Sequence, residues 1–361
     1  MSIRTIFFPV CLSLVAPAAF AAGEPWSDDF SPPPGKHSWV QLDTFEWIKG
    51  DIIALYSDTL VFDSDHFGDL EIELEDILNV HGRGSFAVTF ANGRPVRGEL
   101  QIRKEQVVVV AAGQRHEGSR TNLVSITPVA ERERDRWHGD IGFGTNVRQG
   151  NTDIAELSID IGLLRRTPTS RYTIEYLANS NDTDGERIAD SHRINTGLDR
   201  FTGRRLYWRP FSAQYYKDEI LNIRHQATID TGLGYHLVDT PRVDWELQAG
   251  VGYNYLQHKS VADGEKDNVT SPVGTFSSDF VFKWTSTVEY ELLANMTFLN
   301  EQSGRYQHHI VSALSIDLFG KHLDLDFSTI WDRTESPQEN ADDSVPEQDD
   351  FHFTVSLVYD F

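Results

Sequence analysis

From Trp137 to Phe361 the side chains alternate between apolar and polar with a period of two, and no stretch after residue 22 approaches a membrane-spanning helix. Trp137, Gly139, Ile141, Phe143, Thr145 and Val147 alternate with His138, Asp140, Gly142, Gly144, Asn146 and Arg148. Successive side chains of a strand point to opposite faces, so this pattern specifies strands with one greasy and one wet side. It recurs in about twelve runs, the last being Phe351, Phe353, Val355, Leu357, Tyr359 and Phe361. At ~3.3 Å rise and ~40° tilt, runs of about 11–13 residues reach roughly 30 Å, the depth of a bilayer's hydrocarbon.

A soluble sandwich also alternates, so three further features matter. After Gln149-Gly150-Asn151, every second connection reads as long and polar: 182–190, 217–224, 257–273, 299–305 and 333–349. The links between them are short: 165–170, 202–205, 238–242, 285–287 and 319–322. Barrels of the outer membrane have this asymmetry, and an even strand count returns both barrel ends to the periplasm. Aromatic side chains gather at both rims: Trp137, Tyr207, Tyr235, Trp245, Trp284, Tyr290 and Phe361 at the short links, and Tyr215, Tyr253, Tyr255, Phe276, Trp331 and Phe351 at the long ones. The final strand carries Val355, Leu357, Tyr359 and Phe361 on one face, the form of a barrel-sorting signal. Closure explains how so many strands avoid an exposed edge.

Ahead of the barrel, residues 1–21 read as a signal peptide, with Arg4, an apolar run from Ile6 to Val15, and Ala19-Phe20-Ala21 as the cleavage site. The chain's single cysteine, Cys11, would leave with it. Residues 22–38 form a Pro-rich linker around Pro32-Pro33-Pro34. Residues 39–128 carry short β runs in two repeats, about 39–82 and 94–128, with Gly50 and Gly98 at matching bends. Each reads as a small SH3/Sm-like β module, and 129–136 as a charged hinge. The fold class is therefore all-β: a transmembrane antiparallel barrel of about twelve strands preceded by β modules.

Gly142-Phe143-Gly144 leading to Gln149-Gly150-Asn151-Thr152, the strand Ile194-Asn195-Thr196-Gly197-Leu198 and the terminal Phe strand resemble the salt-induced outer-membrane protein family, a domain family of unknown function. Lys49-Gly50-Asp51-Ile52 and Asp76-Ile77 are similar to the repeat modules that precede the barrel in that family. The resemblance implies an envelope role under salt or osmotic stress and brings no catalytic residues.

The chain holds 55 Asp and Glu against 32 Lys and Arg, a formal charge of −23, which excludes nucleic acid as a partner. Much of the acid falls on the expected lumen face: Asp140, Glu156, Asp160, Glu175, Asp199, Asp230, Asp244, Glu246, Asp279, Glu289, Glu291, Asp317, Asp324, Asp326, Asp332 and Asp360. Arg148, Arg171, Arg193 and Lys283 are the main opposing charges. A wet bore lined this way favours cations; the alternative is a plugged interior in which the charges pair and hydrate. His309 and Ser328 share the lumen face, but His308 points the other way, and no catalytic or nucleotide fingerprint occurs. We expect no catalysis, no metal and no cofactor. The expected partners are outer-membrane lipid and lipopolysaccharide, the barrel-assembly machinery, and a periplasmic protein met through an edge strand of the modules. The expected role is structural or stress-adaptive, with a narrow cation-preferring channel as the main rival and a lipid-modifying barrel enzyme as the second.

Overall fold

The computed structural model describes residue 33 and residues 35–361, apart from residues 65, 92, 130, 131, 149–153, 184, 219, 221, 262–265, 319–322, 338–344, 346 and 361. The expected leader and most of the linker lie outside the described residues.

Among the described residues ten short strands come first: β1 (Ser38–Leu42), β2 (Trp47–Tyr56), β3 (Thr59–Ser64), β4 (Gly68–Glu73), β5 (Ile77–His81), β6 (Phe86–Phe90), β7 (Val96–Arg103), β8 (Gln106–Ala111), β9 (Gln114–Ser119) and β10 (Leu123–Pro128). The sequence repeat is visible in them. In each unit of five strands, a one-turn 3-10 segment (Leu74–Asp76, then Arg120–Asn122) precedes the last strand. The units do not stand as separate modules. β5 pairs with β1 of its own unit and β7 of the other, while β10 pairs with β6 and β2. With β1–β2 and β6–β7 pairing as well, the ring β1-β5-β7-β6-β10-β2 closes on itself as a six-stranded barrel. One core fills it, with Val40, Leu55, Phe62, Ile77 and Val80 from the first unit against Val88, Leu100, Ile102, Leu123 and Ile126 from the second. The buried Arg120 guanidinium donates to Ile77 O at 2.5 Å and Lys104 O at 3.2 Å, stitching the units together.

Gly50 and Gly98 occupy equivalent bends, and both are required by space. A Cβ at Gly50 would lie 2.0 Å from Asp63 O, and one at Gly98 would lie 2.3 Å from Val110 O.

Twelve long strands follow: β11 (Trp137–Arg148), β12 (Ile154–Thr167), β13 (Ser170–Thr183), β14 (Glu186–Phe201), β15 (Leu206–Asp218), β16 (Ile223–Asp239), β17 (Val243–His258), β18 (Asn268–Thr285), β19 (Val288–Phe298), β20 (Tyr306–Asp317), β21 (Leu323–Thr334) and β22 (Asp349–Asp360). Each pairs antiparallel with its chain neighbours, and β22 returns to β11 through Asp140↔Asp360 to Gly144↔Ser356, so the sheet closes as a twelve-stranded barrel. The count and closure are those the alternation predicts. Ile141, Phe143, Ile229, Leu233, Val251, Tyr253, Phe351, Phe353, Val355, Leu357 and Tyr359 stand exposed on the outside. An apolar surface this continuous is what lipid solvates and water does not.

Two expectations are corrected by the structure. The links at 182–190 and 217–224 are not long loops: β13 and β14 stay paired out to Asp182↔Arg187 and Thr183↔Glu186, where Gly185 turns the chain with φ of 82°, and β15 and β16 stay paired out to Asp218↔Ile223. A ladder outside the lipid needs only backbone hydrogen bonds, so polar side chains do not end it. Tyr207 does not belong to the outer aromatic rim. It points into the barrel and is 1% exposed, while its neighbours Leu206 and Trp208 face out. The cause is a bulge. Arg209 pairs with Gly232 but Ser212 pairs with Asp230, which leaves one extra residue in β15 around Pro210. Proline cannot donate to a ladder, and an inserted residue reverses which parity faces inward.

Candidate functional site

The bulge brings Tyr207 and Arg209 onto the inner wall beside Arg171 of β13, Asp199 of β14, His236 of β16 and Glu246 of β17. Arg171 donates to Glu246 at 2.9 and 2.7 Å and to Asp199 at 2.8 Å. Arg209 grips the same Asp199 at 2.6 and 3.0 Å and also donates to Gln248. The Tyr207 hydroxyl donates to Glu246, and the Arg171 guanidinium lies 5.1 Å from the Tyr207 ring centre. His236 Nε2 reaches Glu246 at 3.3 Å. Gly234 makes room, because a Cβ there would lie 1.9 Å from the Tyr207 ring. Two arginines and two carboxylates balance, each charge held by bidentate or shared hydrogen bonds, which is how buried ions are tolerated.

A second cluster sits toward the long-loop end and crosses the bore. Arg193 of β14 donates to Asp332 of β21 at 2.9 Å, and these strands lie on opposite sides of the ring. His309 Nδ1 is 2.8 Å from the same carboxylate oxygen, and the Arg193 guanidinium lies 4.2 Å from the centre of the Tyr216 ring.

The predicted acidic residues divide around these clusters. Asp140, Asp160, Glu175, Glu291 and Asp326 line one cavity of about 450 Å³, together with Arg166, Arg171, Arg193 and Asp332. Asp230, Glu246 and Asp279 line a second with Arg209, and Glu175 borders both. Asp244 faces a third at the short-turn mouth. Asp199 is fully buried between its two arginines. Glu289 pairs in register with Lys283, and Asp324 with Asp317, near the same mouth. The side chains of Glu156, Arg148 and Asp360, and all of Phe361, lie outside the described residues. Charge is unevenly spread around the bore. Arg166, Arg171, Arg193 and Arg209 lie on the β12–β15 wall, interleaved with Asp160, Glu175 and Asp199, while Asp279, Glu289, Glu291, Asp324, Asp326 and Asp140 hold the β18–β22 and β11 wall with Lys283 among them.

Arg166 and Arg209 are lumen residues that sequence reasoning missed. Arg166 falls in a stretch that reads as a short link, and the parity change hides Arg209; Pro210 within a strand is the available signal. Among the described residues no three His, Asp, Glu or Cys side chains are grouped to hold a metal ion. His309 and Ser328 do not converge. Ser328 pairs with Ala313, four residues along β21 from Asp332, or about 13 Å of strand. His308 faces outward with its ring 4.3 Å from that of Trp331.

The small barrel touches the large one at three short turns and at the end of β18. Ser125 and Thr89 donate to Pro168 O at 2.6 and 3.2 Å, in the β12–β13 turn. The Tyr56 hydroxyl donates to Thr167 O at 3.4 Å, and its ring lies 4.9 Å from the Arg166 guanidinium and 5.8 Å from the Phe201 ring. Burial pushes the Tyr56 phenol up to about 12, with Arg166 pulling the other way. Asp58, in the β2–β3 turn, meets Arg205 at 2.5 Å and Arg204 at 3.1 Å from the β14–β15 turn, while its backbone N–H donates to Asp239 of β16 at 2.5 Å. The Arg205 guanidinium is held above its usual range, chiefly by its hydrogen bond to the Asp58 carboxylate. Lys283, at the end of β18, donates to Glu71 of β4 at 2.7 Å.

The family described as "protein of unknown function, DUF481" matches residues 141–361. The chain belongs to that family. No curated protein matches it. Solved structures similar to this family member include the NanC porin, at 10% identity and TM-score 0.36 over 62% of this chain and 98% of that one. The translocator domain of the autotransporter NalP from Neisseria meningitidis is 14% identical, with TM-score 0.34, over 62% and 87%. A Pseudomonas aeruginosa FadL homologue is 8% identical, with TM-score 0.28, over 90% and 86%. The barrel assignment rests on the closed strand ladder and its apolar outside, and the chain is an outer-membrane type β-barrel protein.

Proposed function

We propose that the protein has a structural, stress-adaptive role in the bacterial envelope, without catalysis: a lipid-embedded barrel that holds a folded β domain at the periplasmic side of the outer membrane. The observation that carries this reading is the seat of the small barrel on three short turns and the end of β18 of the large one, by hydrogen bonds, ion pairs and ring contacts. Both barrel ends of an even-stranded sheet lie on the side of the short turns, so the domain lies with them in the periplasm. Lipopolysaccharide and lipid surround the apolar belt, and the barrel-assembly machinery reads the Val355, Leu357, Tyr359 and Phe361 strand. Purified intact chain in planar bilayers is expected to give no conductance steps and to release no label from phospholipid; sustained steps or lipid turnover would overturn the reading. A deletion strain is expected to lose fitness in high salt, and unchanged growth there would remove the stress role.

A second reading, a narrow cation-preferring channel, is favoured by the carboxylate wall of Asp140, Asp160, Glu291 and Asp326 along the large cavity.

A further inference from the structure

We propose that the small barrel is a stopper: docked, it closes the short-turn mouth of the large barrel, and released, it uncovers a path for small cations. This goes beyond the structural reading, which requires only that the domain be held.

The contacts are distributed as a lid requires. They fall on the β12–β13, β14–β15 and β16–β17 turns and on the end of β18, so they follow the rim rather than one point of it. Tyr56 supplies the seal. Its ring covers Arg166, which also lines the lumen cavity beside Asp160 and Glu175, and the space between domain and rim is bordered by Tyr56, Thr59 and Glu71 on one side and Arg166, His236 and Asp244 on the other. The domain thus faces the bore itself. Asp58 supplies the latch. A two-residue turn presents its carboxylate to Arg204 and Arg205, and its own N–H is engaged by Asp239. The carboxylate of Asp58 is tucked at the junction, and an ion pair with two guanidiniums loses most of its attraction if the acid is removed. Behind the seal, the carboxylates of the β18–β22 wall set the preference for positive ions once the mouth is open.

The test compares intact chain with Asp58→Ala and with Arg204→Ala/Arg205→Ala in planar bilayers bathed in potassium chloride. Docking is read separately by carbodiimide, which joins Glu71 to Lys283 only while the 2.7 Å pair persists. The expected result is silence for the intact chain and cation-selective steps for both variants, with a lower yield of the Glu71–Lys283 cross-link. Variant protein cross-linked first under low salt, where the pair is strongest, should fall silent again. If the variants lose the cross-link and still do not conduct, the bore is shut by its own side chains and the stopper is refuted, while the structural reading stands. If the intact, fully cross-linked chain conducts as the variants do, both fail.

Discussion

At the scale of single residues, the junction between the two barrels and the bends of the small one set the sharpest expectations. Tyr56 ionises late because its phenol is buried against the rim, and Arg166 offsets only part of that cost. A phenol whose folded pKa lies above its unfolded value near 10 favours the docked state fully below pH 10, and that contribution is lost as pH rises from 10 through about 12. Ultraviolet titration at 295 nm should therefore show that Tyr56→Phe removes a step near 12 and leaves the steps near 10 in place; loss of an ordinary step instead would mean the ring is not buried. Gly50 and Gly98 give a packing test. A methyl group at either would overlap a carbonyl of the neighbouring strand, with nothing flexible to move aside. Gly50→Ala and Gly98→Ala should each destabilise the small barrel by about 3 kcal/mol, at the upper end of overpacking costs. Denaturant unfolding followed by Trp39 and Trp47 fluorescence measures it, and an unchanged midpoint would show that the strands can separate without penalty.

At the scale of elements, the alternation from Trp137 onward made most of the large barrel legible, because each strand must show one face to lipid and the other to the bore. Strand number, order and the outward residues of β22 follow from that constraint alone. What the sequence withheld depends on partners far along the chain. Tyr207 and Arg209 face inward only because β15 gains a residue against β16, and a register shift leaves no mark in hydropathy beyond Pro210 itself. The repeat in residues 39–128 was readable, but not that its strands would exchange. Which strand lies beside β5 is decided by closure of a six-stranded ring and not by any local pattern. The exchange carries a prediction. A polypeptide of 38–82 keeps β1–β5 but loses β7, the partner of β5, and β10, the partner of β2. It would expose Leu55, Phe62, Ile77 and Val80, which are buried against the other unit's core. Such a fragment should show no cooperative thermal transition by circular dichroism, whereas 38–128 should show one. A cooperative half would mean that each unit closes by itself.

At the scale of the whole molecule, the question is what holds a wide sheet at one cross-section when its lumen is full of acid. Backbone pairing fixes neighbours but leaves opposite walls free to flatten toward or away from each other. The Arg193–Asp332 bridge spans those walls, from β14 to β21, and His309 and the Tyr216 ring hold the two charged groups in place. Both charges are largely withdrawn from water, so removing either one strands the other. Arg193→Gln or Asp332→Asn should each cost roughly 3 kcal/mol, the lower end of the range for breaking a buried pair. Because the pair is one interaction, the double variant should cost less than the sum, with a coupling of about 2 kcal/mol. Urea unfolding of the purified protein in lipid vesicles, with the two single variants and the double variant run side by side, gives that coupling directly. Additive losses would show that the two walls are not tied through these residues, and the cross-section would then be set by strand tilt and backbone register alone.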